Sequence, residues 1–394
     1  MHFKIPFSGR AHRYTDSEVQ TVVEVMQIAQ PLTQGHYQKQ FQEKFSKYTG
    51  AKHAFALNNA TAALELTAQL CRFKQGDEVI IPAHTFTASA YPFLKQGVKI
   101  VWADIDSTTH VVTPETIASC INNNTKAIVV VHLYGYGAEM PEIKKLAERH
   151  NLIVIEDAAQ SLGVEIDGQQ VGTFGDYGIF SFHSHKNIST LGEGGMLTIK
   201  DEQIAKLIPM LRHNGHCSFD DKREYYWIPA MGNVDLPEIE GDSLWPNNYC
   251  LGEVECALGV KLLDRIDQIN ADKRTRALQF IDSLADYPEI KFHRIKSKRH
   301  NYHLLVAEFD KGLRNLFIQK MAENEQIQCV VQYYPLYRYD FYKKAGQDVA
   351  HCPNTDRFFD NMVSFPFHQM LSSADLEQML SSTKRVLEQL RFQC

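Results

Sequence analysis

The sequence predicts an α/β protein built on a large, mostly parallel sheet, with a smaller α+β section after it. Three observations carry that prediction. Between Lys52 and Lys200, short β-rich apolar runs alternate with longer segments of helical spacing, the pattern of a parallel sheet covered by helices. From Asp220 to Asn248 the chain turns irregular and rich in Pro, Gly, Trp and Tyr, which reads as a long functional loop. Beyond it, helical patterns surround one short strand-like run. The expected division is therefore residues 1–250 and 251–394.

The expected strands are HAFALN (53–58), EVIIPA (78–83), KIVWADI (99–105), AIVVVHLYG (127–135), LIVIEDA (152–158), GIFSFH (178–183) and GGMLTI (194–199). Helices fit between most of them. Thr61 to Arg72 is apolar at 64, 66, 68, 70 and 71; Pro114 to Ile121 has Thr113 as N-cap and proline at its first position; Pro141 to His150 has a Lys/Glu outer face. Repeated strand–helix–strand units place a ligand at the carboxyl ends of the strands. In the second section, Glu253 to Ala285 reads as one long helix, followed by a strand over 301–309, a helix from Leu313 to Glu323 and a last one from Ser373 to Arg391.

Composition narrows the function. Hydrophobic residues make up 44% and charged residues 22%, which excludes a disordered or low-complexity chain. The net charge of −6 offers no cationic excess for phosphate neutralisation, so no nucleic-acid partner is expected. No apolar run approaches the roughly 18 residues of a membrane span, and the N-terminus lacks a signal-peptide core; no membrane partner and a cytoplasmic location are expected. Eight scattered cysteines form no CxxC pair, so neither a disulfide framework nor a metal site is expected.

Three segments could carry chemistry. FSFHSHKNISTLGEGG (180–195) ends a strand in a polar stretch with one lysine, Lys186, before a Gly-rich turn. A lysine at a buried strand end loses solvation and is partly neutral, as Schiff-base chemistry requires; the ordinary alternative is a solvated surface charge. Asp157 closes the apolar strand LIVIEDA, where a pyridinium nitrogen would satisfy its carboxylate; a helix-capping role is the alternative. NNATAALEL (58–66) passes from strand to helix through small residues, so its first amides and the Thr61 hydroxyl face any bound phosphate, with plain capping by Asn59 as the alternative. The turn lacks the glycines of a Walker or dinucleotide loop.

Together these outline a pyridoxal phosphate site, and the chain resembles the DegT/StrS sugar aminotransferases, fold type I pyridoxal phosphate enzymes. The resemblance runs from IPFSGR (5–10) through LTQGHYQKQFQEKFSKYTGAKHAFALNNATAAL (32–64), GDEVIIPAHTFTASA (76–90), VHLYGYGAEM (131–140), VIEDAAQSLG (154–163), FGDYGIFSFHSHKN (174–187) and GEGG (192–195) to SFPFH (364–368). It implies pyridoxal 5'-phosphate as cofactor, with Lys186 binding it covalently and then serving as general base for a 1,3-proton shift. It further implies Asp157 on the pyridine nitrogen, Gln160 near the phenolic oxygen, Phe86 stacked on the ring, and Ala60, Thr61 and Ser181 on the phosphate. Asn248 would reach the phosphate of a neighbouring subunit, as the family's active sites are completed across a homodimer interface. L-glutamate is the implied amino donor and a keto or aldehyde sugar the acceptor.

The chain departs from the family pattern at three places. Asn59 and Ala60 stand where the family has Ser-Gly, Cys250 follows Tyr249 where the family has arginine, and YYPLY ends in Tyr337 where the family often has histidine. His183, His185, His213 and Tyr337 are the candidates for the substrate side, and Arg212, Lys222, Arg223 and Arg338 for anion binding. HSHKNISTLGEGG with NNYCLGEVECALG resembles the branch that aminates C8 of an oxidised 3-deoxy-octulosonate (Kdo) for lipopolysaccharide; a nucleotide-linked keto-hexose is the alternative acceptor. A sugar dehydratase would carry histidine in place of Lys186, and a non-catalytic binding protein would lack Lys186 or Asp157.

Overall fold

The computed structural model describes residues 2–219, 232–309 and 312–391. Seven strands form the main sheet: β1 (His53–Leu57), β2 (Glu78–Pro82), β3 (Lys99–Ala103), β4 (Thr125–Val131), β5 (Ile153–Asp157), β6 (Tyr177–Ser181) and β7 (Gly195–Ile199). Their order across the sheet is β1-β7-β6-β5-β4-β2-β3. Neighbours from β6 to β3 pair in parallel, while β7 runs antiparallel to both β1 and β6. The sequence runs fall on these strands, but the β6–β7 connection has no crossover helix. Residues 182–194 instead return as a loop, and that loop carries Lys186.

Burial explains the apolar strand text. β2 and β7 are buried at every position, as expected of strands covered on both faces. The helices α1 (Asp16–Ile28), α2 (His36–Thr49), α3 (Ala60–Leu70) and α4 (Met140–His150) accompany the sheet. The Thr113 cap holds as expected, and its helix spans Pro114–Ala118. No cap of its own starts α2: the Glu253 carboxylate accepts from the N–H groups of Gly35 (2.9 Å), Tyr37 (2.7 Å) and Gln38 (3.1 Å). A Cβ at Gly259 would stand 2.5 Å from the Phe41 ring, so α2 seats through a glycine against the helix Glu253–Leu263.

The long helix expected over 253–285 is two helices, α5 (Glu253–Leu263) and α6 (Ile266–Asp282). Arg265 causes the break. Its guanidinium turns to Glu18, at 2.5 Å, and to the Arg13 carbonyl, and its backbone leaves the helical region at φ −127°, ψ 10°. The strand expected over 301–309 begins only at Leu305, because the Asn301 amide bonds across to Gln160 and Leu162 and Tyr302 has a positive φ of 51°. The second section is a three-stranded antiparallel sheet of β8 (Ile290–Phe292), β9 (Leu305–Phe309) and β10 (Met362–Phe365), with α7 (Arg314–Glu323) and α8 (Ser373–Arg391).

Two apolar cores result. The larger fills the main sheet, continues through Leu258 and Ile266, and takes back Leu336, Tyr342 and Phe358 from the later chain. The smaller joins Ala277 and Phe280 of α6 to Phe317, Phe365 and Val386, and Ile5 enters it. Among the described residues, no helix is long and apolar enough to cross a membrane.

Candidate active site

Strand register brings the site together. Leu57, Gly195 and Ser181 stand abreast on β1, β7 and β6, and Val131 and Asp157 stand abreast on β4 and β5, so the segments that follow converge on one sheet edge. There a cavity of about 440 Å³ is lined by Ala60, Thr61, Phe86, Asp157, Gln160, Ser181, His183, His185 and Lys186. Nine of the expected site residues thus meet at one place. Asn248, His213 and Tyr337 do not line it.

The candidate phosphate end is built by α3. Asn59 caps it, its side-chain oxygen accepting from Ala62 N–H at 2.8 Å, so the Ala62 amide is taken. Ala60 and Thr61 are the first helical residues, and their N–H groups have no acceptor within the helix. Glycine is supplied from across the sheet. A Cβ at Gly195 would lie 2.5 Å from the Asn59 carbonyl carbon and 2.7 Å from Ala60 N, so GEGG lets β7 pass the turn that has no glycine of its own.

Asp157 is buried and accepts from Ser89 Oγ at 2.6 Å and from the Ala159 N–H at 3.1 Å. Ser89, in the HTFTAS segment, was not singled out from sequence. The strand neighbour Glu156 points the other way and is wholly buried; it accepts from Gly172, Phe174 and Gly175 N–H and pairs with His132 Nε2 at 3.0 Å. That alternation fixes which carboxylate enters the cavity.

Burial lowers the Lys186 amine to about 8, against the pull of Asp157. Burial likewise lowers the imidazoles of His183 and His185, whose rings lie 5.1 Å apart, and Lys186 adds to the effect. Gln160 is held from both sides: its oxygen accepts from Tyr134 N–H at 2.7 Å and its amide nitrogen donates to Tyr333 Oη at 3.1 Å. Phe86 is half exposed, its ring 6.0 Å from that of Tyr333. Tyr333, Gln332, His303 and Glu193 complete the wall, and sequence reasoning passed over all four. Tyr333 and Glu193 lay inside the quoted segments YYPLY and GEGG; for His303 the strand reading hid a cavity residue.

The remaining candidates sit elsewhere. His213 and Asn248 face each other in a backbone bridge, with the His213 ring 4.5 Å from that of His216. Tyr337 is buried and donates to Asp356, which also pairs with Arg338. Arg212, a candidate for anion binding, is instead a core cation that donates to Gln38, Gln42 and the Ala56 carbonyl. Lys222 and Arg223 lie outside the described residues. Among the described residues, no group of three or more His, Cys, Asp or Glu could hold a metal ion.

The donor set fits pyridoxal phosphate: open amides for a phosphate, a buried carboxylate for a ring nitrogen, and a desolvated amine between them. Comparison with known proteins agrees with that fit. The chain is 30% identical over 387 residues to the GDP-perosamine synthase of Caulobacter vibrioides, covering 96% of this chain and 98% of that one. Among solved structures it is similar to Helicobacter pylori PseC, an aminotransferase involved in the biosynthesis of pseudoaminic acid (TM-score 0.87, 25% identity, 99% and 100% of the two chains). It is also similar to Spr1654 of Streptococcus pneumoniae in its PMP form (TM-score 0.86, 26% identity, 97% and 99%). The model of the DegT/DnrJ/EryC1/StrS aminotransferase family matches residues 13–384, and the chain belongs to that family, as a fold type I, pyridoxal-phosphate-dependent sugar aminotransferase.

Proposed function

We propose that the chain moves an amino group from L-glutamate to a keto or aldehyde carbon of a sugar destined for a cell-surface polysaccharide, working in the cytoplasm as a homodimer. The observation that carries the reading is the meeting of Lys186, Asp157 and the Ala60–Thr61 amides in one cavity. When bound, pyridoxal phosphate supplies an electron sink for the carbon that loses its proton. The protein's own groups do the rest. The Ala60 and Thr61 amides and Ser181 hold the phosphate at the helix N-terminus. Asp157, aimed by the bonds from Ser89 and Ala159, would hold a cationic ring nitrogen. Gln160, fixed by Tyr134 and Tyr333, would meet the phenolic oxygen, and Phe86 would cover the ring. Lys186, lowered to about 8, takes a proton from one carbon and returns it to another without a large energetic mismatch near neutral pH. His183 and His185, neutral through burial, are left to meet sugar hydroxyls.

For the acceptor we favour C8 of an oxidised 3-deoxy-octulosonate, on the resemblance of HSHKNISTLGEGG and NNYCLGEVECALG, which would place the enzyme in lipopolysaccharide synthesis. The similarity to GDP-perosamine synthase favours a second acceptor, a nucleotide-linked keto-hexose. The test has two steps. L-glutamate should convert the cofactor's absorption band, and the converted enzyme should then be restored by one of the two acceptors; restoration by the GDP-linked sugar alone would remove the octulosonate reading.

A further inference from the structure

His303 lies outside the motifs that identify the family site, yet its buried ring stands in the cavity wall with Lys186, His185, Gln332 and Tyr333. Its backbone is clamped at both ends. The His303 N–H donates to Asn301 Oδ1 at 2.9 Å, and its carbonyl accepts from Lys273 Nζ at 3.0 Å. Lys273 also donates to Asn187 Oδ1 at 3.0 Å, the residue that follows Lys186. One buried lysine on α6 therefore ties His303 to the lysine loop. Asn301 in turn donates to the carbonyls of Gln160 (3.0 Å) and Leu162 (3.2 Å), so the ring cannot withdraw without breaking bonds to the opposite wall.

The ring's chemistry follows from its surroundings. His303 Nδ1 is buried without a hydrogen-bond partner. An orphaned lone pair is easier to tolerate than an orphaned N–H, so the proton is assigned to Nε2, the nitrogen left to the cavity. Burial, with Lys186, Lys273, His185 and His300 around it, holds the imidazole well below its ordinary value. It is a neutral donor throughout the working pH range.

We propose that His303 is the donor that holds the α-carboxylate of the amino-acid substrate beside Lys186, with Lys273 as its positioning residue. The proposal rests on the amino-transfer reading above. The donor's reacting carbon must come to Lys186, and its carboxylate is attached to that carbon. Among the described residues lining the cavity, Lys186 is the only lysine or arginine, and it is committed to the chemistry. Within the described lining, that leaves neutral N–H groups to meet the carboxylate. The Ala60–Thr61 amides belong to the phosphate, and His303 is the most rigidly placed donor that remains.

The test uses the holoenzyme with His303→Phe, which removes the donor, and His303→Asn, which keeps an N–H at reduced size. Both should keep the cofactor band and a cofactor dissociation constant within about twofold of the parent. In single-turnover conversion by L-glutamate, the half-saturating concentration should rise about tenfold or more in His303→Phe, the loss expected for a hydrogen bond to a charged group, and the limiting rate should stay within about threefold. His303→Asn should recover part of the affinity. An unchanged half-saturation, equal impairment in both variants, or joint loss of cofactor and limiting rate would overturn the assignment. If His303→Phe does not fold, His303→Asn against His303→Ala makes the same comparison. A parent enzyme that converts with none of L-glutamate, L-glutamine and L-aspartate would overturn the amino-transfer reading itself, an outcome distinct from failure of the His303 assignment.

Discussion

Lys186 is an amine that the fold keeps from being an ordinary lysine. Burial lowers it to about 8, and the nearby Asp157 limits the fall. Only the neutral amine attacks a carbonyl, so capture of added pyridoxal phosphate by the cofactor-free protein should accelerate about tenfold per pH unit up to about 8 and then level off. Stopped-flow absorbance reads this directly, and a pH-independent rate would contradict it. The same shift bears on stability, with a definite sign. The unfolded chain holds the lysine proton up to near 10.5 and the folded chain only up to about 8, so the cofactor-free protein gains stability as pH rises between those values. Lys186→Met should abolish capture and, below pH 8, raise stability by up to about 3 kcal/mol, the gain vanishing toward pH 10.5. Asp157 was legible in the sequence because it ends an apolar strand, where open α/β sheets place ligands, and Lys186 because it stands in the polar stretch after the next strand, within the family-like FSFHSHKN. Ser89, Tyr333 and His303 were not, since their place depends on loops whose paths no periodicity reports.

At the level of elements, the proposed phosphate end depends on β7 passing closely by the turn before α3. Gly195→Ala would set a Cβ 2.5 Å from the Asn59 carbonyl carbon, and backbone cannot yield as a flexible side chain does. The turn before α3 should shift, and the cofactor dissociation constant should rise by at least tenfold in equilibrium titration while Lys186 keeps its reactivity toward pyridoxal lacking the phosphate. An equal loss toward both compounds would show that the turn is not the point of failure. The sequence located the seven strands to within a few residues, because strands covered on both faces read as short continuous apolar runs. It missed the antiparallel β7, whose direction is set by a 13-residue return loop in place of a helix. It missed the α5–α6 break for a related reason: Arg265 suits a helix interior, and only its distant partner Glu18 turns it out. Local propensity reads the elements, while long-range polar contacts decide where they stop.

For the whole molecule, the question is whether a site on one chain draws on Asn248 of a second copy, since its own cavity omits that residue. Asn248 lies in a backbone bridge to His213, and the following residue, Tyr249, bonds its backbone to Arg212 and Asn58 and its hydroxyl to Glu65. The backbone of this segment is anchored on its own chain, a fixed base from which Asn248 would serve a second copy. If the proposed homodimer completes the phosphate site in this way, dissociation should loosen the cofactor. Diluting the parent holoenzyme through its dimer dissociation constant should then release pyridoxal phosphate, in step with the fall in mass measured by light scattering. Asn248→Ala should retain the dimer but hold the cofactor about tenfold more weakly, the effect expected for losing one hydrogen bond to a charged phosphate. Because the variant lacks the contact in either state, its retention should also depend less on dilution. Cofactor release that is independent of both dilution and Asn248 would mean that each chain holds its phosphate alone.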